Sequence, residues 1–217
     1  QRYWARSLAG YEYFSRARPN AGHAALAGLQ GLGVVDSIIT QNVDGLHDAA
    51  GSNDVLELHG SIEKVECLAC GERSPRSALQ ERLRADNADW LRETRLLSTG
   101  LTEMRADGDS AISDAIISGL RVPCCASCGG TLKPSVVFFG GNVPAETTAR
   151  ALKAARTADA LLIVGSTVQT FSAFRLVREV AGAGRPVCIV NLGATRADKL
   201  VPPDLRLPCD ASTLLES

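Results

Sequence analysis

Three observations predict an α/β protein with a doubly wound parallel sheet and a smaller inserted subdomain. Continuous apolar runs at 34–40, 160–167 and 186–193 read as strands buried on both faces. Stretches of helical periodicity alternate with them, the order that a parallel sheet requires. Two C-x-x-C pairs, CLAC at 67–70 and CASC at 125–128, set a separate segment into the middle of the chain.

The composition allows this plan. With 217 residues, the chain has room for one large domain carrying a smaller one. Aromatic residues make up only 5%, so the core is expected to be aliphatic. A net charge of −1 argues against the strongly basic surface of a nucleic-acid binder. No apolar run approaches the roughly 18 residues of a membrane span. The opening QRYWARSLAGYEYF is polar and aromatic, unlike a signal peptide. A cytoplasmic protein is expected, with neither nucleic acid nor membrane as partner.

Taken in order, residues 1–19 read as a helix ending at Pro19. Asn20 is a good N-cap for a second helix through AGHAALAGLQGL. Gly33 ends it, which makes 1–33 one helical segment, and the strand VVDSIIT follows. Beyond the cysteines, VVFFG at 136–140 reads as a strand and 144–157 as a helix with Pro144 in its first turn. A strand at 160–167, a helix at 171–184, a strand at 186–193 and an edge strand at 204–208 complete the order. The sheet domain is therefore expected over 34–60 and 131–217, with the cysteine-bearing subdomain over 61–130.

Seven cysteines stand at 67, 70, 124, 125, 128, 188 and 209. Two residues between thiols let both sulfurs of a tight turn point inward, and two such turns complete a tetrahedral zinc site. Cys67, Cys70, Cys125 and Cys128 have that spacing, whereas Cys124 does not. Gly71 and Gly129-Gly130 supply the permissive backbone. Redox disulfides or unpaired buried thiols are the alternatives, and a reducing compartment disfavours structural disulfides. Four thiolates leave no open coordination position, so the metal would be structural. Cys188 reads as core, and Cys209 has no partner at useful spacing.

The strand ends read TQNVD, VGSTVQ, VNLG and PCDA, small and polar, as suits a nucleotide lying across strand tips. A dinucleotide fold ordinarily opens with a strand, a Gly-rich loop and a helix. Here Gly28, Gly31 and Gly33 follow a helix instead.

The combination TQNVDGLH, ELHG, the two C-x-x-C pairs, LKPSVVFFG, VGST and VNLG, in this order, resembles the sirtuin family of NAD-dependent protein-lysine deacylases. PNAGHAAL and NLGATRAD look most like bacterial members of class II. The resemblance covers essentially the whole chain. It implies a Rossmann-like NAD-binding domain with a zinc-binding small domain, NAD and one structural Zn²⁺, and acylated-lysine proteins as substrates.

Residue by residue, His59 resembles the general base; an unperturbed imidazole titrates near 6.5 and can take a ribose proton near neutral pH. Asn42 and Asp44 resemble the polar pair that orients ribose and nicotinamide or a bound water, with Gln41 and Val43 as neighbouring cofactor contacts. Gly165, Ser166, Thr167, Asn191, Leu192 and Gly193 resemble adenosine-side contacts, and Ala211 the last contact near adenine. Val136 to Gly140 resembles the strand on which a substrate peptide pairs, with Val137 and Phe139 lining the acyl-lysine tunnel. Gly141 departs from the acidic residue common there. His23 and His47 read as structural.

The family also opens with a strand and a GAG-x-S loop, which this sequence does not contain. The expectation is that the gene product continues upstream and that these 217 residues alone bind NAD poorly. Protein mono-ADP-ribosyl transfer in the same cleft, and a non-catalytic zinc-stabilised binding module, are the alternatives to deacylation.

Overall fold

The computed structural model describes residues 1–94, 117–202 and 205–210. Its elements run α1 (Arg2–Ser15), α2 (Ala21–Gly31), β1 (Ile38–Thr40), α3 (Leu46–Ala49), β2 (Val55–Glu57), β3 (Gly60–Cys67), β4 (Arg73–Pro75), α4 (Arg76–Asp86) and α5 (Ala88–Thr94). Beyond residue 130 come β5 (Leu132–Val136), α6 (Ala145–Thr157), β6 (Leu161–Val164), α7 (Phe171–Gly182), β7 (Val187–Val190), a 3-10 turn at Asp198–Leu200 and β8 (Arg206–Leu207). The chain separates into two compact units, Gln1–Ala17 with Ser61–Ser135 and Arg18–Gly60 with Val136–Ser217. The segment 1–33 is thus shared, α1 going to the first unit and α2 to the second.

In the first unit β3 lies between β4 and β5, paired antiparallel to β4 through Lys64↔Pro75, Val65↔Ser74 and Glu66↔Arg73. Its core is built by α1, α4 and the strands. Trp4, Ala5 and Leu8 pack with Val65, Leu79, Leu83 and Leu132. The Trp4 indole N–H donates to the Leu132 carbonyl at 3.2 Å, satisfying its one polar atom inside that core. Arg76, at the start of α4, is 1% exposed. A buried guanidinium needs partners. It donates to the Ser7 carbonyl and hydroxyl at 3.3 and 3.1 Å and lies 4.4 Å from the centre of the Tyr11 ring. The insertion expected between the cysteine pairs is seen as β4, α4 and α5; 95–116 lie outside the described residues.

The second unit carries two parallel sheets, β1-β2 and β6-β7-β8. The helix-strand alternation read from the sequence is present in it. Along α7 the residues Ala173, Leu176, Val177 and Val180 recur at helical spacing and are all buried. They share one apolar core with Leu56, Leu58, Ile163, Val187 and Ile189, so both sheets rest on the same packing. Ala151 and Ala155 of α6 join it, and their small side chains permit the close approach of α6 to α7.

Two expected strands are corrected. VVDSIIT contributes only Ile38–Thr40. Gly33, at φ +70, ends α2 in a left-handed turn in which the Val34 N–H reaches the Leu29 carbonyl and the Gly33 N–H the Gln30 carbonyl. The Val35 N–H also goes to Leu29. With those donors spent on the helix end, no ladder starts until Ile38, and Val34 is left exposed. Of VVFFG only Val136 is in a strand. The strand lies earlier, at Leu132–Val136, and Phe138 to Gly141 form a turn closed by the Gly141 N–H on the Phe138 carbonyl at 2.8 Å. Apolar content misled here, because Phe139 is fully exposed.

Candidate functional site

Two centres stand out, one in each unit. In the first unit Cys67 closes β3 and Cys70 lies in the turn after it. The Gly71 N–H donates to the Cys67 carbonyl at 2.9 Å, and the Gly129 N–H repeats this on the Cys125 carbonyl at 2.9 Å. Both glycines sit at φ +72, where a Cβ is costly. The two turns therefore have the same construction and bring four sulfurs together. The Sγ atoms of Cys67, Cys70, Cys125 and Cys128 lie within 4.8 Å of one another, with Cys67 to Cys128 at 3.5 Å and Cys70 to Cys125 at 3.8 Å. A tetrahedron with Zn–S bonds of about 2.3 Å has edges of about 3.8 Å, so the set is spaced for that ion. Backbone N–H groups of Cys70 and Ala69 draw the Cys67 thiol down to about 6, whereas, against the Gly130 N–H, the neighbouring Cys70 and Cys67 sulfurs hold Cys128 up at about 12, so the four crowded thiols share their protons unevenly. Cys124 is exposed and outside the group. At Gly130 a Cβ would meet Ala69 Cβ at 2.7 Å and Cys67 Sγ at 2.8 Å, so the second turn closes against the first with no room to spare.

In the second unit the carboxyl ends of β1 and β6 are tied together. The Gln41 side-chain Nε2 donates to Ser166 Oγ at 2.6 Å, and its Oε1 accepts from Thr170 Oγ1 at 3.0 Å. Half-buried His59 lies in the turn between β2 and β3. Its Nδ1 meets the Gln41 carbonyl at 3.1 Å. A carbonyl only accepts, so Nδ1 carries a proton and Nε2 is the nitrogen left for acid–base work. Nε2 lies 3.1 Å from Ser172 Oγ. The His59 carbonyl in turn accepts the Val137 N–H at 2.9 Å, placing Val137 beside the histidine. Phe139, two residues on, makes no such connection.

Asn42 is exposed at the tip of β1, its N–H on Thr40 Oγ1 at 3.1 Å. Asp44 Oδ1 accepts the Leu46 N–H at 3.1 Å and opens α3, with Gly45 between them at φ +70. Val43 is half-buried between the two. On the neighbouring strand tips, the Gly165 N–H bonds the Val190 carbonyl at 2.9 Å, which sets Gly165 and Ser166 beside Asn191. The Asn191 Nδ2 donates to the Gly193 carbonyl at 2.8 Å, and Arg206 donates to the same oxygen at 2.9 Å. Thr195 bonds to Asp198 hold its carboxyl below the usual range. Thr167 offers its carbonyl to the Arg196 N–H at 3.0 Å, and Leu192 is exposed. A Cβ at Gly165 or Gly193 would meet nothing within 4 Å, so the ground over these tips is open. Ala211 lies outside the described residues.

The sequence reading missed Thr170 and Ser172. Thr170 had a signal, since it precedes the apolar stripe of α7 as a good N-cap, and its side chain accepts the Ala173 N–H. Ser172 had none; one hydroxyl in a helix's first turn is ordinary. Two residues before Thr170, Val168 sits at φ +45, a strained conformation for a β-branched residue. Its N–H on Ser166 Oγ at 3.1 Å and its buried side chain hold it there.

Comparison with known proteins gives consistent results. The Sir2 family model matches residues 2–172. An NAD-dependent protein deacylase of Monosiga brevicollis is 47% identical over 207 residues, 95% of this chain and 67% of that protein. NAD-dependent protein deacetylase 1 of Streptomyces coelicolor is 47% identical over 208 residues, 96% of this chain and 67% of that protein. The chain therefore spans about two thirds of the length of these relatives. Among solved structures, Sir2Tm bound to a propionylated peptide superposes with a TM-score of 0.73 at 26% identity, covering 97% of this chain and 73% of that one.

Proposed function

The chain belongs to the Sir2 family, and from its NAD-dependent protein deacylase chemistry we propose which of its residues carry each part. NAD supplies an activated ribosyl carbon and nicotinamide as leaving group. The acyl oxygen of a modified lysine on a protein substrate is the group that carbon captures, and the acyl group ends on ADP-ribose.

His59 takes the proton from a ribose hydroxyl on Nε2. The geometry that supports this is the Nδ1 contact with the Gln41 carbonyl, which keeps a proton on Nδ1, so that Nε2 is the bare nitrogen of the neutral ring. Asn42 and Asp44 orient the ribose and nicotinamide end. Gln41 braces the histidine with its backbone and Ser166 with its side chain. Gly165, Ser166, Thr167, Asn191, Leu192 and Gly193 face the adenosine end, where open backbone permits close approach. Val137, held against the His59 carbonyl, is the acyl-lysine contact that this arrangement favours. Phe139 is the second, its exposed ring free to cover an incoming peptide. Cys67, Cys70, Cys125 and Cys128 hold one Zn²⁺, with no role for it in the reaction.

The test is nicotinamide release from NAD with and without an acetyl-lysine peptide, with products identified by mass spectrometry. Peptide-dependent release with an acyl-ADP-ribose product is expected, and His59→Ala should lower kcat by about 10²–10⁴-fold. A covalent ADP-ribosyl adduct on protein, or an active His59→Ala variant, would overturn this assignment.

A further inference from the structure

His59 is met on Nε2 by Ser172, a contact that the base chemistry above does not use. Ser172 Oγ lies 3.2 Å from Thr170 Oγ1, and Thr170 Oγ1 lies 3.0 Å from Gln41 Oε1. Three contacts are thus strung on two hydroxyl protons. Because the Gln41 Nε2 donates to Ser166, its Oε1 faces Thr170 as a pure acceptor, and the Thr170 proton goes there. The Ser172 proton then goes to Thr170. Ser172 has only lone pairs left for His59, and a nitrogen that meets a lone pair must bring its own proton. The chain in this direction therefore matches the imidazole protonated on both nitrogens, Nδ1 on the Gln41 carbonyl and Nε2 on Ser172.

Turning the Gln41 amide by half a turn reverses everything. Gln41 Nε2 donates to Thr170, Thr170 to Ser172, and Ser172 to a bare Nε2, while the Ser166 hydroxyl donates to Oε1. The same groups can serve both protonation states of the ring by reversing the direction of the hydrogen bonds they share. This matters because Ser172 lies in the first turn of α7, whose exposed N–H groups make that end electropositive and unfavourable for a cation. An imidazolium formed there needs a specific acceptor.

We propose that Ser172 is a positioning residue for His59, accepting the Nε2 proton's hydrogen bond once the base step has occurred, with Thr170 and the Gln41 amide setting the direction of that bond. The proposal rests on the reading of His59 as the general base. It adds a residue whose worth lies after proton transfer, so its loss should lower kcat while leaving NAD binding nearly intact.

Two measurements on the full chain test it. In deacylation, Ser172→Ala should lower kcat about tenfold, the worth of one hydrogen bond to a charged group, with KM for NAD little changed. Ser172→Thr, which keeps the hydroxyl, should recover most of the loss. Independently of activity, nitrogen NMR of the His59 ring should show the Nε2 resonance moving in Ser172→Ala and the Nδ1 resonance unmoved. An unshifted Nε2 resonance, a loss confined to KM, or no rescue by threonine would overturn the proposal. If the parent chain shows no deacylation at all, the kinetic comparison falls with the proposed function, while the NMR comparison still decides the Ser172 contact.

Discussion

Among single residues, His47 makes the fold respond to pH. Its ring lies tilted at 53° against that of His23, centres 4.6 Å apart, and its buried Nδ1 has no hydrogen-bond partner. Burial first, then His23, lowers its pKa, while Asp44 and Asp48 pull the other way. The sign follows from linkage: below the unfolded value near 6.5 the unfolded chain binds a proton that the folded one resists. The stability due to this group is therefore complete above about pH 6.5 and is lost as pH falls below it. Thermal melts between about pH 7.5 and 5.5 should show a falling Tm that is flatter in His47→Gln; an equal slope in both would remove His47 as the cause. His23 and His47 are the histidines that the sequence assigned to structure. His23 does serve the fold, closing a capping box with Asn20 at the start of α2. His59 was legible only in company, through the motif around it, since neither its Gln41 nor its Ser172 contact is local in sequence.

For the elements, spacing was a better guide than apolar content. The cysteine turns, Asn20 as a cap and the stripe of α7 were all legible because each is a local geometric requirement. The strands were overdrawn because a strand's length is set by its neighbour. β1 has only the three-residue register Ile38↔Val55, Ile39↔Leu56 and Thr40↔Glu57, and no apolar run can announce that. The paired cysteine turns give the sharpest test at this scale. Gly130→Ala must push a methyl group into Ala69 and the Cys67 sulfur. The expected outcome is a weaker metal site, read as faster zinc loss to a chromophoric chelator, whereas Gly28→Ala, with open space and helical backbone, should behave as the parent. Zinc retention unchanged in Gly130→Ala would mean that the turns do not close as described.

Over the whole molecule, the division into two units makes metal removal a selective insult. Binding energy of a structural zinc site is folding energy of the domain around it. Chelation of the ion should strip hydrogen-exchange protection from β3, β4 and β5, whose ends carry or adjoin the cysteines. Cys70→Ser should do the same without chelator. Full protection of these strands in metal-free protein would show that the unit stands on its apolar core alone. The sequence foretold the cysteine-bearing subdomain but not that α1 belongs with it, because helix periodicity says which face is buried and not which partner buries it.

That membership has a temporal side. Trp4 finds its partner Leu132 across a separation of 128 residues. At about 5–20 residues per second, a ribosome takes roughly 6 to 26 s to cover that distance. Val65, Leu79 and Leu83 reach α1 earlier, but for all that time its Trp4–Leu8 face lacks Leu132, and a lone 14-residue helix is marginal in water until that face is covered. The unit that binds the metal can be completed only after the second pair of cysteines has left the exit tunnel, so metal capture and the Trp4–Leu132 contact that closes the first helix's core fall in the same late moment of synthesis.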